Sequence, residues 1–171
     1  YSATPLPAIP APQKVIYVQE IPMKRVQSIW DVLPAPVTSP QPLPMEMLDQ
    51  NQGLMLYRTE LIGHKSGKLT IWEPHDYALV FLDGVFIDTV FRDGGKWTVD
   101  LPKTTTTQNP VLDILVEGMG HINFAQFMID RKGITDRVTL NGMTLMNWHH
   151  YSLPMNETFV AKALKEPRFD A

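Results

Sequence analysis

The sequence contains no cysteine among its 171 residues. This absence excludes disulfide scaffolds, thiolate zinc sites and cysteine nucleophiles. It leaves the compartment open, because periplasmic and secreted proteins also occur without cysteine. The chain has no apolar run of about 20 residues, the length that a helix needs to cross a bilayer.

The start of the chain lacks two further features. No basic region precedes an apolar one, so no signal peptide is predicted. The first residue is Tyr1 rather than Met, and it lies within a proline-rich run. We therefore expect the chain to be a piece of a longer polypeptide.

An excess of charge of one sign is also missing. Lys and Arg total 15 against 18 Asp and Glu, which gives a net charge of −3 and a pI of about 5.9. This balance creates no long-range field that would attract nucleic acid or an anionic membrane, so neither partner is predicted. Two cationic pairs, Lys24-Arg25 and Arg131-Lys132, are interpreted as solvated surface pairs.

Proline, in contrast, is abundant, with 15 residues that lie mostly early in the chain. Residues 1–14 are typical of an extended, polyproline-like linker. The β-branched residues at 15–19 predict a short strand, and residues 26–33 fit a helical turn and an irregular arm equally well. The prolines between 34 and 44 exclude regular structure there.

Short strands separated by turn signals fill the rest of the chain. In the clearest case, a strand at Tyr77 to Leu82 meets Asp83-Gly84 and returns as Val85 to Phe91. Asp-Gly accepts the positive φ angles of a two-residue hairpin turn, and Asn141-Gly142 gives the same signal. Turn signals that recur about every 8 to 12 residues predict an all-β sandwich or jelly roll. A short helix is predicted at 158–165.

These patterns divide the chain into three parts. We expect a Pro-rich N-terminal arm over residues 1–44, a β-sandwich over residues 45–160 and a tail over residues 161–171.

Five sequence pieces follow one another in a specific order and spacing. They are PMEMLDQNQGLMLYRT at 44–59, HDYALVFLDG at 75–84, ILVEGMGHINF at 114–124, RKGI at 131–134 and VTLNG at 138–142, with Trp148 after them. On these pieces, the region from about Leu43 to Pro154, about two-thirds of the chain, resembles the β-domain that follows the catalytic barrel in family 35 glycoside hydrolases, the retaining β-galactosidases. The resemblance implies a jelly-roll β-sandwich related to galactose-binding modules. It also implies a partner that this chain lacks, a catalytic (β/α)8 barrel in a polypeptide that removes terminal β-linked galactose.

The catalytic residues of that family have no counterpart here. A retaining glycosidase needs two carboxylates about 5–5.5 Å apart, and in the family that the chain resembles both are Glu at barrel strand ends, the first preceded by Asn. The one Asn-Glu pair, Asn156-Glu157, lies in a polar segment after Pro154 with no strand before it. We interpret it as coincidence and predict that the chain alone is not an enzyme.

Histidines supply two weaker candidate sites. His75-Asp76 has the residue types of an acid/base pair, but we interpret it as a strand start whose aspartate satisfies turn amides. His149-His150 with His121 has the residue types of a metal site, but neighbours on a strand point to opposite faces. No cofactor is therefore predicted, while a structural ion held by carbonyls and Asp is left open.

Four side chains are candidates for a carbohydrate site: Trp97, Trp148, His149 and Tyr151. The apolar face of a pyranose stacks on an aromatic ring, and its hydroxyls need polar partners. The alternative is that each Trp fills the core or the interface with the absent barrel.

Three functional hypotheses follow. The leading one is a non-catalytic accessory domain that packs on the barrel, with exposed Ile29 and Trp30 of the arm as a strap and with Met119, Phe124 and Phe127 as interface or core residues. The second is a module that binds galactosides. The third is a self-contained enzyme with an unrecognised carboxylate pair, which turnover by the chain alone would reveal.

Overall fold

A computed structural model of the protein describes residues 8–18, 20, 27–103, 108–124, 126 and 128–165. Within these ranges the chain forms twelve strands, three 3₁₀ turns and one α-helix. The strands are β1 (Val37–Ser39), β2 (Gly53–Glu60), β3 (Gly67–Ile71), β4 (Pro74–His75), β5 (Tyr77–Leu82), β6 (Val85–Phe91), β7 (Thr98–Leu101), β8 (Val111–Gly118), β9 (Gly133–Ile134), β10 (Val138–Leu140), β11 (Met143–Thr144) and β12 (Trp148–Leu153). The predicted all-β class is confirmed.

The strands form two larger antiparallel sheets and one small one. The first sheet has the order β1-β12-β2-β8-β5-β6, the second has the order β11-β10-β3-β7, and β4 pairs with β9. The main core joins the two larger sheets, with Met55 and Ile114 from the first and Leu69 and Val99 from the second. The architecture is that of a β-sandwich, and the jelly-roll connectivity stays a prediction.

The six-stranded sheet is apolar on both faces. In β2, Met55 and Tyr57 belong to the main core, while Leu54 and Leu56 belong to a second cluster on the opposite face. This double burial explains the nearly continuous apolar sequence of β8, since a strand covered on both faces needs no polar alternation. The second cluster requires a cover of its own.

That cover comes from two segments, one before β1 and one after β12. Ile29 and Trp30, in a 3₁₀ turn at Ile29–Asp31, pack on the second cluster, as does Phe159 of the helix α1 (Glu157–Ala163). The Trp30 ring meets Phe81 edge to face, with ring centroids 5.1 Å apart. The prediction that Ile29 and Trp30 are exposed is therefore wrong, because they cover the outer face of the chain's own sheet.

The 3₁₀ turn also decides between the two alternatives for residues 26–33. It is the helical turn, although Val26 itself lies outside the described residues.

Two further predictions about the arm fail. The second proline-rich segment contains a strand, because the three residues of β1 between Pro36 and Pro40 keep their N–H groups and pair with β12 at the edge of the sheet. In contrast, residues 15–18 are exposed and have no regular structure, so the strand predicted at 15–19 is not formed there. Gln19 lies outside the described residues.

Both predicted hairpin turns are confirmed. Asp83 and Gly84 have φ angles of 49° and 77°, and Asn141 and Gly142 have φ angles of 51° and 83°. Positive φ at both central residues is the signature of the type I′ turn, whose twist matches that of the flanking strands. The Asn141 side chain also accepts a hydrogen bond from the Lys68 N–H at 2.9 Å, which fixes the turn against β3.

The Asn156-Glu157 pair has a local structural role. Asn156 is the N-cap of α1, and its side chain accepts a hydrogen bond from the Phe159 N–H at 2.9 Å. Glu157 then lies in the first turn, where a negative charge is favourable. The helix predicted at 158–165 is thus confirmed, and it runs across residue 160, the predicted end of the compact domain.

Candidate functional site

Four charged side chains meet where β4 and β9 lie beside β6 and β8. Asp76 follows β4, Arg92 follows β6, and Asp130 and Lys132 precede β9. We refer to these four residues as the ion-pair network.

The network is closed by short contacts. The Lys132 Nζ lies 2.6 Å from Asp76 Oδ2 and 2.9 Å from Asp130 Oδ2. The Arg92 Nη1 lies 3.0 Å from Asp76 Oδ1 and 2.8 Å from Asp130 Oδ1. The side chains of Lys132 and Asp130 are 1% and 0% exposed, so most of the network is removed from water.

Burial and hydrogen bonding act on the two carboxyl groups in opposite directions. Burial by itself would raise the pKa of Asp76 and of Asp130, because it disfavours the charged form. Hydrogen bonds from Lys132 and Arg92, together with backbone N–H groups, outweigh this effect. They hold the pKa of Asp76 below its usual value and that of Asp130 far below it.

The backbone around Lys132 is fixed as well. Its N–H donates to the Glu46 carboxylate at 2.8 Å, and its carbonyl accepts from the Met45 N–H at 2.8 Å. The next residue, Gly133, has a φ of 91°, and a Cβ there would clash with the Tyr57 hydroxyl. That hydroxyl donates to the Leu43 carbonyl and accepts from the N–H of residue 134. A glycine is therefore required at position 133.

The network also holds the described residues of the segment that follows β8, which we call the apolar loop (residues 119–124, 126, 128 and 129). The Met119 N–H donates to Asp76 Oδ2 at 3.0 Å, and the Ile122 N–H donates to Asp130 Oδ2 at 3.1 Å. The His121 ring lies 2.8 Å from the Asp130 carbonyl. Both aspartates thus bind the loop backbone in addition to the two cations.

The histidine and aspartate predicted as a strand start belong to this arrangement. Asp76 accepts a backbone N–H, but from Met119, 43 residues away, rather than from its own turn, and it also pairs with Lys132 and Arg92. The His75 ring Nδ1 lies 2.7 Å from the Arg131 carbonyl and 3.4 Å from Asp130 Oδ1. The interpretation as a structural pair is kept and extended to an ionic role.

An open cleft of about 620 Å³ lies beside the network. Besides the network itself, its lining includes Phe91, Asp93, Met119, His121 and Ile122. Each carboxylate oxygen of the two network aspartates already lies within 3.0 Å of a cation. A glycosidase acid must keep its proton near neutral pH and so needs a raised pKa, whereas both of these pKa values are lowered. The geometry therefore favours anchoring of the loop over acid catalysis.

The four residues predicted for a carbohydrate site do not converge. Trp148 is fully buried in the main core, and Trp97 is half-buried against it, with its indole N–H 3.3 Å from the Arg92 carbonyl. Tyr151 packs in the second cluster, on the other face of the sheet. His149 is exposed and lines a cleft of about 260 Å³ with Arg58 and neighbouring residues.

The histidine pair separates as predicted. His149 is exposed and His150 is buried, with its Nδ1 2.9 Å from the Val37 carbonyl and its Nε2 3.1 Å from the Leu43 N–H. Burial lowers the pKa of His150. In the described part of the chain, no group of three or more His, Cys, Asp or Glu side chains is placed to hold a metal ion. A structural ion bound partly by carbonyls stays a prediction.

Sequence reasoning missed the ion-pair network. The Arg131-Lys132 pair was predicted to be solvated, and this is wrong for Lys132, which is buried and paired with Asp76 and Asp130. Lys24-Arg25 lies outside the described residues, as does Phe127. One signal was available: Asp130 and Lys132 are two residues apart, so in an extended segment their side chains share a side.

Across the described ranges, no helix is long and apolar enough to span a membrane.

Comparison with known proteins places this architecture in a family. Residues 42–154 match the family model described as "Beta-galactosidase, first all-beta domain". The β-galactosidase of Xanthomonas manihotis is 34% identical over 95% of this chain and 28% of its own length. Beta-galactosidase 17 of Arabidopsis thaliana is 34% identical over 91% of the chain and 24% of its length. Beta-galactosidase-1-like protein 3 of Homo sapiens is 36% identical over 92% of the chain and 25% of its length.

The family match over residues 42–154 begins and ends almost where the sequence resemblance does, at about residues 43 and 154. The chain spans about a quarter of the length of these curated relatives. The expected relationship is therefore confirmed. The chain belongs to the family of first all-β domains of β-galactosidases.

Proposed function

We propose that the chain is a non-catalytic accessory domain of a longer β-galactosidase-like polypeptide, called here the parent polypeptide. In this role it supports a catalytic barrel that hydrolyses terminal β-galactosides. The observation that carries the proposal is the family match over residues 42–154, combined with relatives of which this chain covers only about a quarter.

The chemistry of the charged residues supports a non-catalytic role. The carboxylate oxygens of Asp76 and Asp130 already bind the two cations and accept hydrogen bonds from two loop N–H groups. Their lowered pKa values suit permanent anions that organise the backbone, not a group that gives up a proton during glycoside cleavage. Asn156-Glu157, the one pair with the residue types of a family acid/base motif, caps a helix.

The positions of the aromatic residues argue against a sugar-binding site on this chain. A stacking platform must expose one ring face, and Trp148 is fully buried. Trp97 packs half-buried against the main core, and Tyr151 packs in the second cluster on the other face of the sheet, so the predicted residues form no common platform. Galactoside recognition by this chain alone is therefore the less favoured role.

The proposal is tested with a chromogenic β-galactoside and with galactose and lactose. The chain alone is expected to release no chromophore, while the parent polypeptide releases it. Intrinsic Trp fluorescence is expected to stay flat up to roughly tens of millimolar sugar, a range in which even a site of about 1 mM affinity saturates. Turnover by the chain alone would make it an enzyme. A saturable signal that disappears in Trp97→Ala would make it a binding module.

A further inference from the structure

The apolar loop exposes an unusual group of side chains. Met119, Ile122, Phe124, Met128 and Ile129 are all exposed to solvent. Residues 118–129 also contain no Lys, Arg, Asp or Glu. Single hydrophobic residues on a surface are ordinary, but a contiguous group of them marks an interaction site.

The ion-pair network explains why these side chains stay outside. The loop backbone is tied to Asp76 through the Met119 N–H and to Asp130 through the Ile122 N–H. Asp130 itself closes the loop and is held by Lys132 and Arg92. Because buried charges fix the backbone, the apolar side chains are presented outward without having to pack inward to order the loop.

We propose that the apolar loop is the surface by which this chain docks on an apolar patch of the catalytic part of the parent polypeptide. This inference rests on the proposed function and adds the contact surface to it. The part of this chain that aligns with two relatives makes up 28% and 24% of their lengths, so most of each relative lies outside the aligned part and can supply a surface that covers the loop. A loop without charge favours an apolar protein partner over an anionic surface, which cationic side chains would attract.

Methionine oxidation by hydrogen peroxide tests the proposal, because its rate follows the exposure of the thioether. Met119 and Met128 on the loop are 62% and 63% exposed. Met47 and Met143, outside the loop, are 60% and 62% exposed and are matched controls. The fully buried Met55 controls for unfolding.

In the isolated chain, the two loop methionines and the two control methionines are expected to oxidise at comparable rates. In the parent polypeptide, oxidation of Met119 and Met128 is expected to fall by about tenfold, as their exposure is lost. The rates at Met47 and Met143 are expected to change much less. Met55 stays unreactive in both, which shows that each protein remains folded.

A matched pair of variants tests the contact directly. Ile129→Ser, on the loop, and Ile62→Ser, outside it, each remove one exposed isoleucine. In the isolated chain neither variant is expected to shift the thermal midpoint. In the parent polypeptide, Ile129→Ser restores oxidation at Met119 and Met128, and Ile62→Ser does not.

The outcomes separate this inference from the proposed function. If the parent polypeptide hydrolyses galactosides while Met119 and Met128 react as in the isolated chain, the docking surface is refuted and the function stands. If the parent polypeptide does not hydrolyse them, the proposed function fails. If the two residues become protected in the isolated chain as its concentration rises, with dimers in sedimentation, the occupant is a second copy and the inference is overturned.

Discussion

Removal of the Lys132 ammonium should lower the free energy of unfolding of this domain substantially. In Lys132→Met the apolar part of the side chain is kept, while two contacts of 2.6 and 2.9 Å to buried carboxylates are lost. Loss of one partner of a buried ion pair costs about 3–5 kcal/mol, because the remaining charge is buried without compensation. Arg92 still contacts both aspartates, so we expect about 3 kcal/mol, the lower end of that range.

The pH dependence of the same variant gives a second test. The folded-state pKa of Asp76 and of Asp130 lies below the ordinary value, so the unfolded chain takes up protons first on acidification. The stability that these groups contribute is therefore fully present above the ordinary pKa of about 4 and is lost as the pH falls below it. In Lys132→Met burial persists without the ammonium, so both pKa values rise and the loss of stability between pH 5 and pH 3, roughly, becomes smaller.

Urea unfolding followed by Trp fluorescence at several pH values measures both effects. The matched control is Lys96→Met, which removes an exposed ion pair to Asp88 and should cost far less, because water and salt screen exposed charges. A cost for Lys132→Met that is as small as that of the control, with an unchanged acid response, would refute the assignment of the network as a structural anchor.

Two further predictions concern packing. Gly133→Ala should cost about 3–5 kcal/mol, because the residue has a φ of 91° and its new methyl group would clash with the Tyr57 hydroxyl. Gly84→Ala, with φ 77° and open space around it, should cost only about 1–2 kcal/mol, so equal unfolding free energies for the two variants would contradict the steric argument. Trp30→Ala should cost about 2 kcal/mol through the half-buried contact with Phe81, and an unchanged urea midpoint would mean that the arm does not stabilise the sheet.

The strands were predictable because their signals are local. β5 and β6 could be predicted from large apolar and β-prone residues on either side of Asp83-Gly84, a turn whose conformation depends on two residues alone. The family resemblance added the order of the pieces, and the family match covers the same part of the chain. Neither signal depends on contacts between distant residues.

The predictions failed where distant parts of the chain meet. Ile29 and Trp30 were expected to be exposed, because no local pattern reveals that the outer face of the six-stranded sheet is apolar and needs a cover. The short strand β1 forms because β12 offers an edge beside it, despite the surrounding prolines.

The ion-pair network was missed for the same reason, because its residues are far apart in the sequence. Lys132 lies 56 residues from its partner Asp76 in sequence, and a buried lysine of this kind looks like a surface residue until the partner is in place. The exposure of the apolar loop was likewise invisible, since Met119 and Phe124 fit a core and an interface equally well by residue type alone.

The most direct test of the account is differential scanning calorimetry of the isolated chain and of the parent polypeptide. A domain that packs on a partner is stabilised by that contact, so the account predicts a higher unfolding midpoint for this domain in the parent polypeptide, lowered again by Ile129→Ser. An identical midpoint in both proteins, unaffected by that variant, would contradict an accessory domain that works through a docked interface.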